Sequence, residues 1–406
     1  MKKTLNAVVM AAILLLTACT NSPKEPKYIF YFIGDGMGFS HVSIAENYAN
    51  YARTGAIGND NLSFSEFPVL GMASTYSASN NITCSSAAGT ALSTGHKTNN
   101  GFLGVAPDSS WVISIANKLQ EKGYRIGVAS SVNINHATPA SFYGHSADRN
   151  DYYILAEQLA TSNFDFFGGG GLLDPCGKNG DKKSGYALAE ENGYTLVHGL
   201  GEWNSSLTDK VFLLQNKENR DNDLRSPGDR DENDLTLPQV VEKGIEVLET
   251  AEGTPFFFMV EGGKIDWFAH ANNPKATILE TLDFSDAIAV ALKFYEKYPD
   301  ETLIVVTADH ETGGFAMGRK GYSVDFAGLD AAEQAHKDSD GKSYENNANA
   351  EKERLQKTNE AARLGWTTTG HCGGNVPVFA IGVGSEAFAG KMDNTDIPKR
   401  ILNLSK

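Results

Sequence analysis

The stretch "FFFMVEGGKIDWFAH", residues 256–270, joins a predicted strand to a predicted helix. Its first five residues are continuously apolar, which is typical of a strand that is buried on both faces. Glu261 follows this strand directly, and Asp266 and His270 are four residues apart, which places them on one face of a helix. The stretch therefore predicts a strand, a loop and a helix with ligand-type side chains at the carboxyl end of the strand.

Similar apolar runs recur along the chain, and helical patterns separate them. This alternation indicates an α/β fold, a three-layer sandwich with a central, mostly parallel sheet and helices on both of its faces. The predicted strands cover residues 28–33, 125–129, 256–260, 303–307 and 376–381, and the predicted helices cover residues 111–122, 237–250 and 276–298.

Acidic and histidine side chains stand at the ends of these strands. Asp35 follows the first strand, Glu261 follows the third, Asp309 and His310 follow the fourth, and His371 lies in a glycine-rich loop before the last. Ligand sites of open α/β sheets lie beyond the carboxyl ends of the strands, so these side chains are expected to converge at one edge. Mixed histidine and carboxylate ligands suit zinc, and carboxylate with hydroxyl and water suits magnesium.

Each of these elements has a simpler interpretation when it is taken alone. Asp266 and His270 could be a surface pair on a helix, and Asp309 with His310 could be a turn with a capping aspartate. The glycines around Asp35 resemble a dinucleotide loop, but their spacing is not G-x-G-x-x-G and the aspartate would stand where a pyrophosphate binds. Taken jointly, the elements favour a site for several metal ions.

The amino terminus has the pattern of a secretory signal. Two lysines and an apolar run, residues 7–16, precede Leu-Thr-Ala-Cys, which resembles a bacterial lipobox. We expect residues 1–18 to be a lipoprotein signal peptide, Cys19 to carry a lipid anchor and residues 19–27 to form a tether. The predicted location is the periplasm or the cell surface, on a membrane. A plain signal peptide cut after Ala18 is the alternative.

The chain is acidic, with a formal net charge of −15 that becomes −17 when the two lysines of the signal peptide are removed. This charge argues against nucleic acid or an anionic lipid surface as the partner. An anion site in such a protein needs local positive charge from metal ions or arginine. Cys84, Cys176 and Cys372 have no framework spacing, so disulfides are not the basis of stability, although one pair is left open.

The predicted catalytic domain covers residues 28–406. Two polar, charged and weakly periodic segments interrupt it, residues 177–233 and residues 325–364. We interpret both as surface insertions near the site and not as separate domains.

Six motifs, in the same order, resemble those of the alkaline phosphatase family from Tyr28 to about Gly384. They are "FIGDGMG" (32–38), "TCSSAAGTALSTG" (83–95), "NHATPASFYGHSADR" (135–149), "VEGGKIDWFAH" (260–270), "TADHETGGF" (307–315) and "TGH" (369–371). The resemblance implies an alkaline phosphatase, an enzyme that hydrolyses small phosphate monoesters to an alcohol and inorganic phosphate. Because the family is often dimeric, it also implies a homodimer as one possible assembly.

The resemblance assigns the site residues one ion at a time. Asp266, His270 and His371 match the ligands of a first Zn²⁺, and Asp35, Asp309 and His310 match those of a second. Asp35, Thr138 and Glu261 match the ligands of a third ion, usually Mg²⁺. Ser85 matches the nucleophile, Arg149 the phosphate clamp, and His136 and Trp267 two further side chains at the substrate.

A serine hydroxyl needs a base or a metal ion to become a good nucleophile. No G-x-S-x-G elbow is present, so metal coordination is the expected activator of Ser85. Two metal ions roughly 3.5–4 Å apart can clamp an in-line displacement, while Arg149 pairs with the remaining phosphate oxygens. The inferred reaction has two steps, formation of a phosphoserine and its hydrolysis by water.

Ser86 and Cys84 flank the predicted nucleophile. Ser86 is the rival hydroxyl, but aligning Thr90 and Ala91 with the family places Ser85 at the nucleophile; an ordinary helix cap at Ser85 is compatible with this. Cys84 stands where many members carry an aspartate that helps to hold the arginine, so weaker phosphate binding is expected.

His136 and Trp267 stand where the best-known enterobacterial form has aspartate and lysine, so the magnesium shell is expected to differ from that form and to hold magnesium loosely or bind another ion.

Three other functions agree with part of the sequence. A phosphodiesterase of the same superfamily is the main alternative, since the two insertions could shape a pocket for a second ester group. A sulfatase is excluded because residues 84–88 lack the proline and arginine of C-x-P-x-R. A lipoprotein that only binds metal or phosphate would not need Ser85.

Overall fold

The computed structural model describes residues 25–217, 222–249, 253–340 and 348–405, and the predicted signal peptide and Cys19 lie outside these ranges. The described residues contain one large sheet and two short antiparallel pairs of strands. In chain order the strands are β1 (Tyr28–Gly34), β2 (Val69–Ser74), β3 (Arg125–Asn133), β4 (Phe166–Gly170), β5 (Thr195–His198), β6 (Val211–Leu214), β7 (Phe256–Gly262), β8 (Thr302–Thr307), β9 (Glu311–Thr312), β10 (Ala316–Met317), β11 (Leu364–Gly365), β12 (His371–Cys372), β13 (Val376–Gly382) and β14 (Gly390–Asp393).

The helices of the described residues follow the strands in the predicted alternation. In chain order they are α1 (Phe39–Thr54), α2 (Ser85–Thr94), α3 (Ile115–Glu121), α4 (Ala137–Ala140), α5 (Tyr152–Thr161), α6 (Gly185–Glu191), α7 (Leu237–Leu248), α8 (Lys264–His270), α9 (Pro274–Lys297), α10 (Phe326–Asp340), α11 (Ala348–Ala362) and α12 (Asp396–Leu404). Short 3₁₀ turns cover Leu200–Glu202 and Ser385–Phe388. None of the described helices is long and apolar enough to cross a lipid bilayer.

The large sheet has ten strands in the order β14-β2-β13-β8-β1-β7-β3-β4-β6-β5. Only β13 runs antiparallel to its neighbours, β2 and β8, and the other adjacent pairs are parallel. Strands β1, β7 and β8 at its centre are buried along their whole length, which is why their sequences are continuously apolar. This topology confirms the predicted, mostly parallel sheet.

Side chains that alternate along the central strands pack against helical segments on opposite faces. Tyr31 and Phe257 contact Phe142, which follows α4, with ring centroids 6.1 Å apart in both pairs. Phe32, which points to the other face, contacts Phe284 of α9 with centroids 5.9 Å apart. Because successive residues of a strand point to opposite faces, these contacts define helical layers on both sides of the sheet. The sandwich is therefore three-layered, as predicted.

Two segments differ in detail from the prediction. The helix expected over residues 111–122 begins at Ile115, because the Ser114 hydroxyl caps it by accepting a hydrogen bond from the Asn117 N–H at 3.1 Å. The segment 177–233 is not only a surface insertion, since it contributes β5 and β6 to one edge of the large sheet.

The segment 325–364 instead forms a pair of helices, α10 and α11. Leu329 and Phe326 of α10 belong to an apolar cluster with Tyr48 of α1 and Ile278 of α9. Through this cluster the pair packs against α1 and α9.

The topology brings the ends of three strands together. Asp35, Glu261 and Asp309 follow or end β1, β7 and β8, which are adjacent and parallel. The short strand β9 then pairs with β12, with Thr312 opposite His371. This pairing folds the glycine-rich loop back over the end of β8, so that His371 reaches the same edge of the sheet.

Candidate metal centre and active site

The first group of ligand-type side chains consists of Asp35, Asp309 and His310. All three are buried, and each offers one ligand atom within 4.8 Å of the others. Asp309 Oδ1 accepts hydrogen bonds from the backbone N–H of Gly36 at 3.1 Å and of His310 at 2.8 Å, which fixes the carboxylate. His310 Nε2 lies 3.1 Å from Asp309 Oδ2 and 3.5 Å from Asp35 Oδ1. The three side chains point at one small volume.

The second group consists of Asp266, His270 and His371. The Nε2 atoms of the two histidines lie 3.1 Å apart, and they are 3.3 and 3.6 Å from the Asp266 carboxylate oxygens. The Nδ1 atom of His270 donates to the carbonyl oxygen of Thr369 at 2.6 Å, and that of His371 to the carbonyl oxygen of Thr83 at 2.8 Å. A histidine that donates from Nδ1 leaves the Nε2 lone pair free to bind a metal ion.

The two groups are continuous. The rings of His310 and His371 stack with centroids 3.6 Å apart, and Asp266, His310 and His371 also lie within 4.8 Å of one another. His310 therefore stands between the two groups. Both ligand sets assigned from the sequence are brought together, and one site can hold two adjacent ions.

Glu261 and Thr138 lie close to Asp35 at the same edge of the sheet. One oxygen of Glu261 accepts a hydrogen bond from the Ser130 hydroxyl, while Oε1 is buried without a hydrogen-bond partner. The Thr138 hydroxyl, both carboxylate oxygens of Asp35 and Oδ2 of Asp309 are buried and unpartnered as well. Because buried polar atoms are nearly always hydrogen-bonded, this set of orphaned oxygens fits bound cations.

The pKa values of the buried acids are consistent with a site that binds cations. Burial, with added repulsion from neighbouring carboxylates, raises the pKa of Asp35 well above its usual range and that of Asp309 to about 7. Burial likewise raises the pKa of Glu261 to about 8. Asp266 differs, because hydrogen bonding to His270 and the nearby His310 and His371 outweigh burial and lower its pKa. Ionised acids at this density need positive charge close by.

Ser85 is the first residue of α2 and lies beside both groups. Its hydroxyl oxygen is 3.3 Å from His310 Nε2, and the side chain is 3% exposed. The Ser86 side chain is fully buried, and its hydroxyl contacts Cys84 Sγ at 3.1 Å. Of the two adjacent hydroxyls, that of Ser85 therefore faces the ligand side chains, at the amino end of a helix where an anion is favoured.

Arg149, the residue predicted to clamp the phosphate, is half-buried. Its Nη2 atom donates to His136 Nε2 at 3.3 Å, and no carboxylate of the described residues lies within 4.0 Å of the guanidinium. Burial, and secondly the charge of Arg149, lower the pKa of His136 to about 3, so this imidazole is neutral. Trp267 meets the His136 ring edge-on, with centroids 5.7 Å apart. The arginine charge is thus available to an anion.

Cys84 acts on Arg149 through the backbone. Its sulfur accepts a hydrogen bond from the Gly101 N–H at 3.1 Å, and the Gly101 carbonyl accepts one from the Arg149 N–H at 2.9 Å. Burial opposes ionisation of the thiol, yet hydrogen bonds from Ser86 and from the backbone hold the pKa of Cys84 below its usual value.

Replacing Cys84 by aspartate is expected to tighten phosphate binding about fivefold, or ~1 kcal/mol, because a carboxylate would restrain the guanidinium. The inhibition constant of inorganic phosphate measures this, with Cys84→Ser as the control for loss of the thiol. An unchanged inhibition constant in Cys84→Asp would contradict the argument.

Sequence reasoning missed Thr312, whose hydroxyl contacts both Asp266 and His310. It also missed Ser130, which holds Glu261. The only sequence signal for Thr312 is its place two residues after His310 at the end of a strand, and Ser130 has no such signal.

A nucleophile-type serine between carboxylates, imidazoles and a guanidinium, at the carboxyl edge of an α/β sheet, defines a hydrolase of the metal-dependent, phosphate-directed class. The family model of alkaline phosphatase matches residues 26–406, so the chain belongs to the alkaline phosphatase family.

Curated relatives agree with this membership. Alkaline phosphatase 3 of Bacillus subtilis (strain 168) is 31% identical over 429 residues, which cover 93% of this chain and 88% of that protein. The alkaline phosphatase of Escherichia coli (strain K12) is 31% identical over 340 residues, which cover 71% of each.

Solved structures are similar over nearly the whole chain. The alkaline phosphatase of the Antarctic bacterium TAB5 has a TM-score of 0.75 at 32% identity and covers 95% of this chain and 99% of its own. The cold-active alkaline phosphatase of Shewanella sp. has a TM-score of 0.79 at 30% identity, with coverage of 93% and 100%. Two variants of the TAB5 enzyme, in which a histidine is changed to glutamate or aspartate, contain magnesium in a site called M3.

Proposed function

We propose that this protein is an alkaline phosphatase that hydrolyses phosphate monoesters to an alcohol and inorganic phosphate. Family membership supports the reaction class. The observation that carries the proposal is the 3.3 Å contact between the Ser85 hydroxyl and His310 Nε2, at the amino end of α2 and beside two groups of metal-ligand side chains. A protein that only stores metal or phosphate would not need a hydroxyl aimed at this point.

Each residue of the site has a separate role in the proposed reaction. Arg149 binds two phosphate oxygens through its planar guanidinium, and the N–H groups at the start of α2 add to the attraction for the anion. Ser85 attacks phosphorus, the alcohol leaves, and water hydrolyses the phosphoserine to regenerate the hydroxyl. Cations held by the ligand groups would lower the pKa of the attacking hydroxyl and stabilise charge on the leaving oxygen.

The donor sets support two zinc ions and one magnesium ion. Each zinc set combines carboxylates with histidine, and the third set, Asp35, Thr138 and Glu261, contains only oxygen. The neutral imidazole of His136 stands two residues from Thr138, so we expect the third ion to be held more loosely than the two zinc ions. In the related TAB5 enzyme, variants that replace a histidine by a carboxylate contain magnesium in the M3 site.

One assay tests the function. A chromogenic phosphate monoester, the matching diester and the matching sulfate are each tested with and without a chelator. We expect turnover of the monoester that the chelator abolishes. Preference for the diester would favour the phosphodiesterase, and a lack of turnover of all three by the metal-loaded protein would overturn the proposal.

We also propose that the protein is exported and held on a membrane, at the periplasm or the cell surface, by a lipid on Cys19. The described chain enters the sheet at the edge opposite the metal groups, where the Lys27 N–H donates to the Glu301 carbonyl at 2.8 Å. A homodimer is the proposed assembly, since family members often pair.

Metabolic labelling with a fatty acid tests the anchor. We expect the wild-type protein to incorporate the label and Cys19→Ala to lose it. An unlabelled wild type would leave the plain signal peptide as the explanation of the amino-terminal pattern.

A further inference from the structure

Thr312 lies at the centre of the ligand groups without belonging to either. It ends the short strand β9, and its side chain is fully buried. Its backbone N–H donates to the Gly36 carbonyl at 3.1 Å, and its residue partner across the strand pair is His371. Backbone contacts on both sides thus hold Thr312 in one place.

The Thr312 hydroxyl makes two contacts of different kinds. Its oxygen lies 2.5 Å from Asp266 Oδ1 and 3.2 Å from His310 Nδ1. A hydroxyl has one proton, and an ionised carboxylate can only accept, so the proton is donated to Asp266. The oxygen lone pair then accepts the Nδ1–H of His310. This arrangement leaves His310 Nε2 without a proton and directed towards Asp35, Asp309 and the Ser85 hydroxyl.

We infer that Thr312 is a positioning residue that orients one ligand of each metal group and couples the two groups. Asp266 belongs to the set with His270 and His371, and His310 belongs to the set with Asp35 and Asp309. One hydroxyl therefore fixes the direction of a carboxylate in the first set and the tautomer of an imidazole in the second. This inference rests on the proposed function only in requiring that the two sets bind metal ions.

The Thr312 hydroxyl lies in closely packed surroundings. A Cβ atom at Gly36 would lie 2.9 Å from Asp266 Cα and 3.0 Å from Thr312 Oγ1, so the backbone of the Asp35 loop presses directly on both residues. A water molecule needs a cavity of its own to replace the lost contacts. Without the hydroxyl, His310 Nδ1–H and Asp266 Oδ1 each lose a partner in a buried position.

The test replaces the Thr312 hydroxyl by a methyl group of similar size, so that the shape of the side chain is kept. Thr312→Val removes the hydroxyl, and Thr312→Ser keeps it. Thr281→Val is the matched control, because Thr281 is equally buried and its hydroxyl donates only to the Thr277 carbonyl within α9. The readout is the dissociation constant of Zn²⁺, measured on the stripped proteins by competition with a chelator of known affinity.

We expect Thr312→Val to bind both zinc ions about 10- to 100-fold more weakly than the wild type, and Thr312→Ser to stay within about threefold. Thr281→Val should match the wild type. Thr312→Ala, which also lacks the hydroxyl and has a smaller side chain, gives the same answer if the valine variant does not fold. The stripped variants are checked by circular dichroism.

Three results would overturn the inference: zinc affinity in Thr312→Val and Thr312→Ala equal to that of Thr281→Val, an equal loss in Thr312→Ser, or weakening of one zinc ion alone. Failure of the wild type itself to bind zinc would instead refute the proposed metal centre. The wild-type measurement therefore separates the two failures.

Discussion

Replacing Ser85 by alanine is expected to lower kcat for a phosphate monoester by on the order of 10³-fold or more, because it removes the hydroxyl that acts as the nucleophile in the proposed reaction. The Ser85 hydroxyl is 3.3 Å from His310 Nε2 at the amino end of α2. Loss of the nucleophile removes the covalent step, while Arg149 and the metal ligands are left in place. Steady-state kinetics measures kcat, and KM is expected to change much less.

Ser86→Ala is the matched control, because it deletes an equally buried hydroxyl one residue away. The Ser86 side chain contacts Cys84 and none of the ligand residues in the described structure, so we expect kcat within about threefold of the wild type. A second readout is trapping of the phosphoenzyme with labelled substrate at low pH. Label on Ser85→Ala, or its loss from Ser86→Ala, would reverse the assignment of the nucleophile.

The ends of the central strands could be predicted from the sequence because local patterns decide them. Continuous apolar runs identify buried parallel strands, and the carboxyl ends of adjacent parallel strands share one edge. Asp35, Glu261 and Asp309 follow from that rule alone. The partners β5 and β6 could not be predicted, because each has only four residues and exists through pairing with distant strands.

The sequence also does not reveal how individual side chains are oriented. Ser85 and Ser86 are both small and polar, and they differ only in which side of α2 they face. Thr312 looks like any strand threonine until its distances to Asp266 and His310 are known. Family motifs predict Ser85 as the nucleophile, but the contact that joins the two ligand groups depends on the tautomer of one imidazole, which no pattern encodes.

Removing the metal ions is expected to abolish activity and to make the stability of the protein depend strongly on pH. The pKa of Asp309 is raised to about 7 and that of Glu261 to about 8 in the metal-free fold, and that of Asp35 is raised as well. In the unfolded chain these acids titrate near ~4. The folded state therefore holds protons that the unfolded state has released.

The sign of the effect follows from this difference. Where the folded state binds more protons, the free energy of unfolding falls as pH rises, and the loss continues until pH passes the folded pKa. Between pH 6.5 and 8.5 the metal-free protein should thus lose stability as Asp309 and Glu261 ionise without a counter-charge. In the metal-loaded protein the cations keep these acids ionised throughout, so the same pH change costs little.

Thermal unfolding of chelator-treated and metal-reloaded protein between pH 6.5 and 8.5 measures the difference. We expect the midpoint temperature of the stripped form to fall by more than about 5 °C relative to the loaded form over this range. Glu280, whose pKa burial raises to about 7 but which is not among the metal-ligand side chains, contributes to both forms alike and cancels in the comparison. If the midpoint temperatures of the two forms change equally with pH, the charges of the buried acids are neutralised by something other than bound cations. Adding Zn²⁺ and Mg²⁺ to the stripped protein should restore both the activity and the weak pH dependence of stability, because the same ions neutralise the acids and activate Ser85.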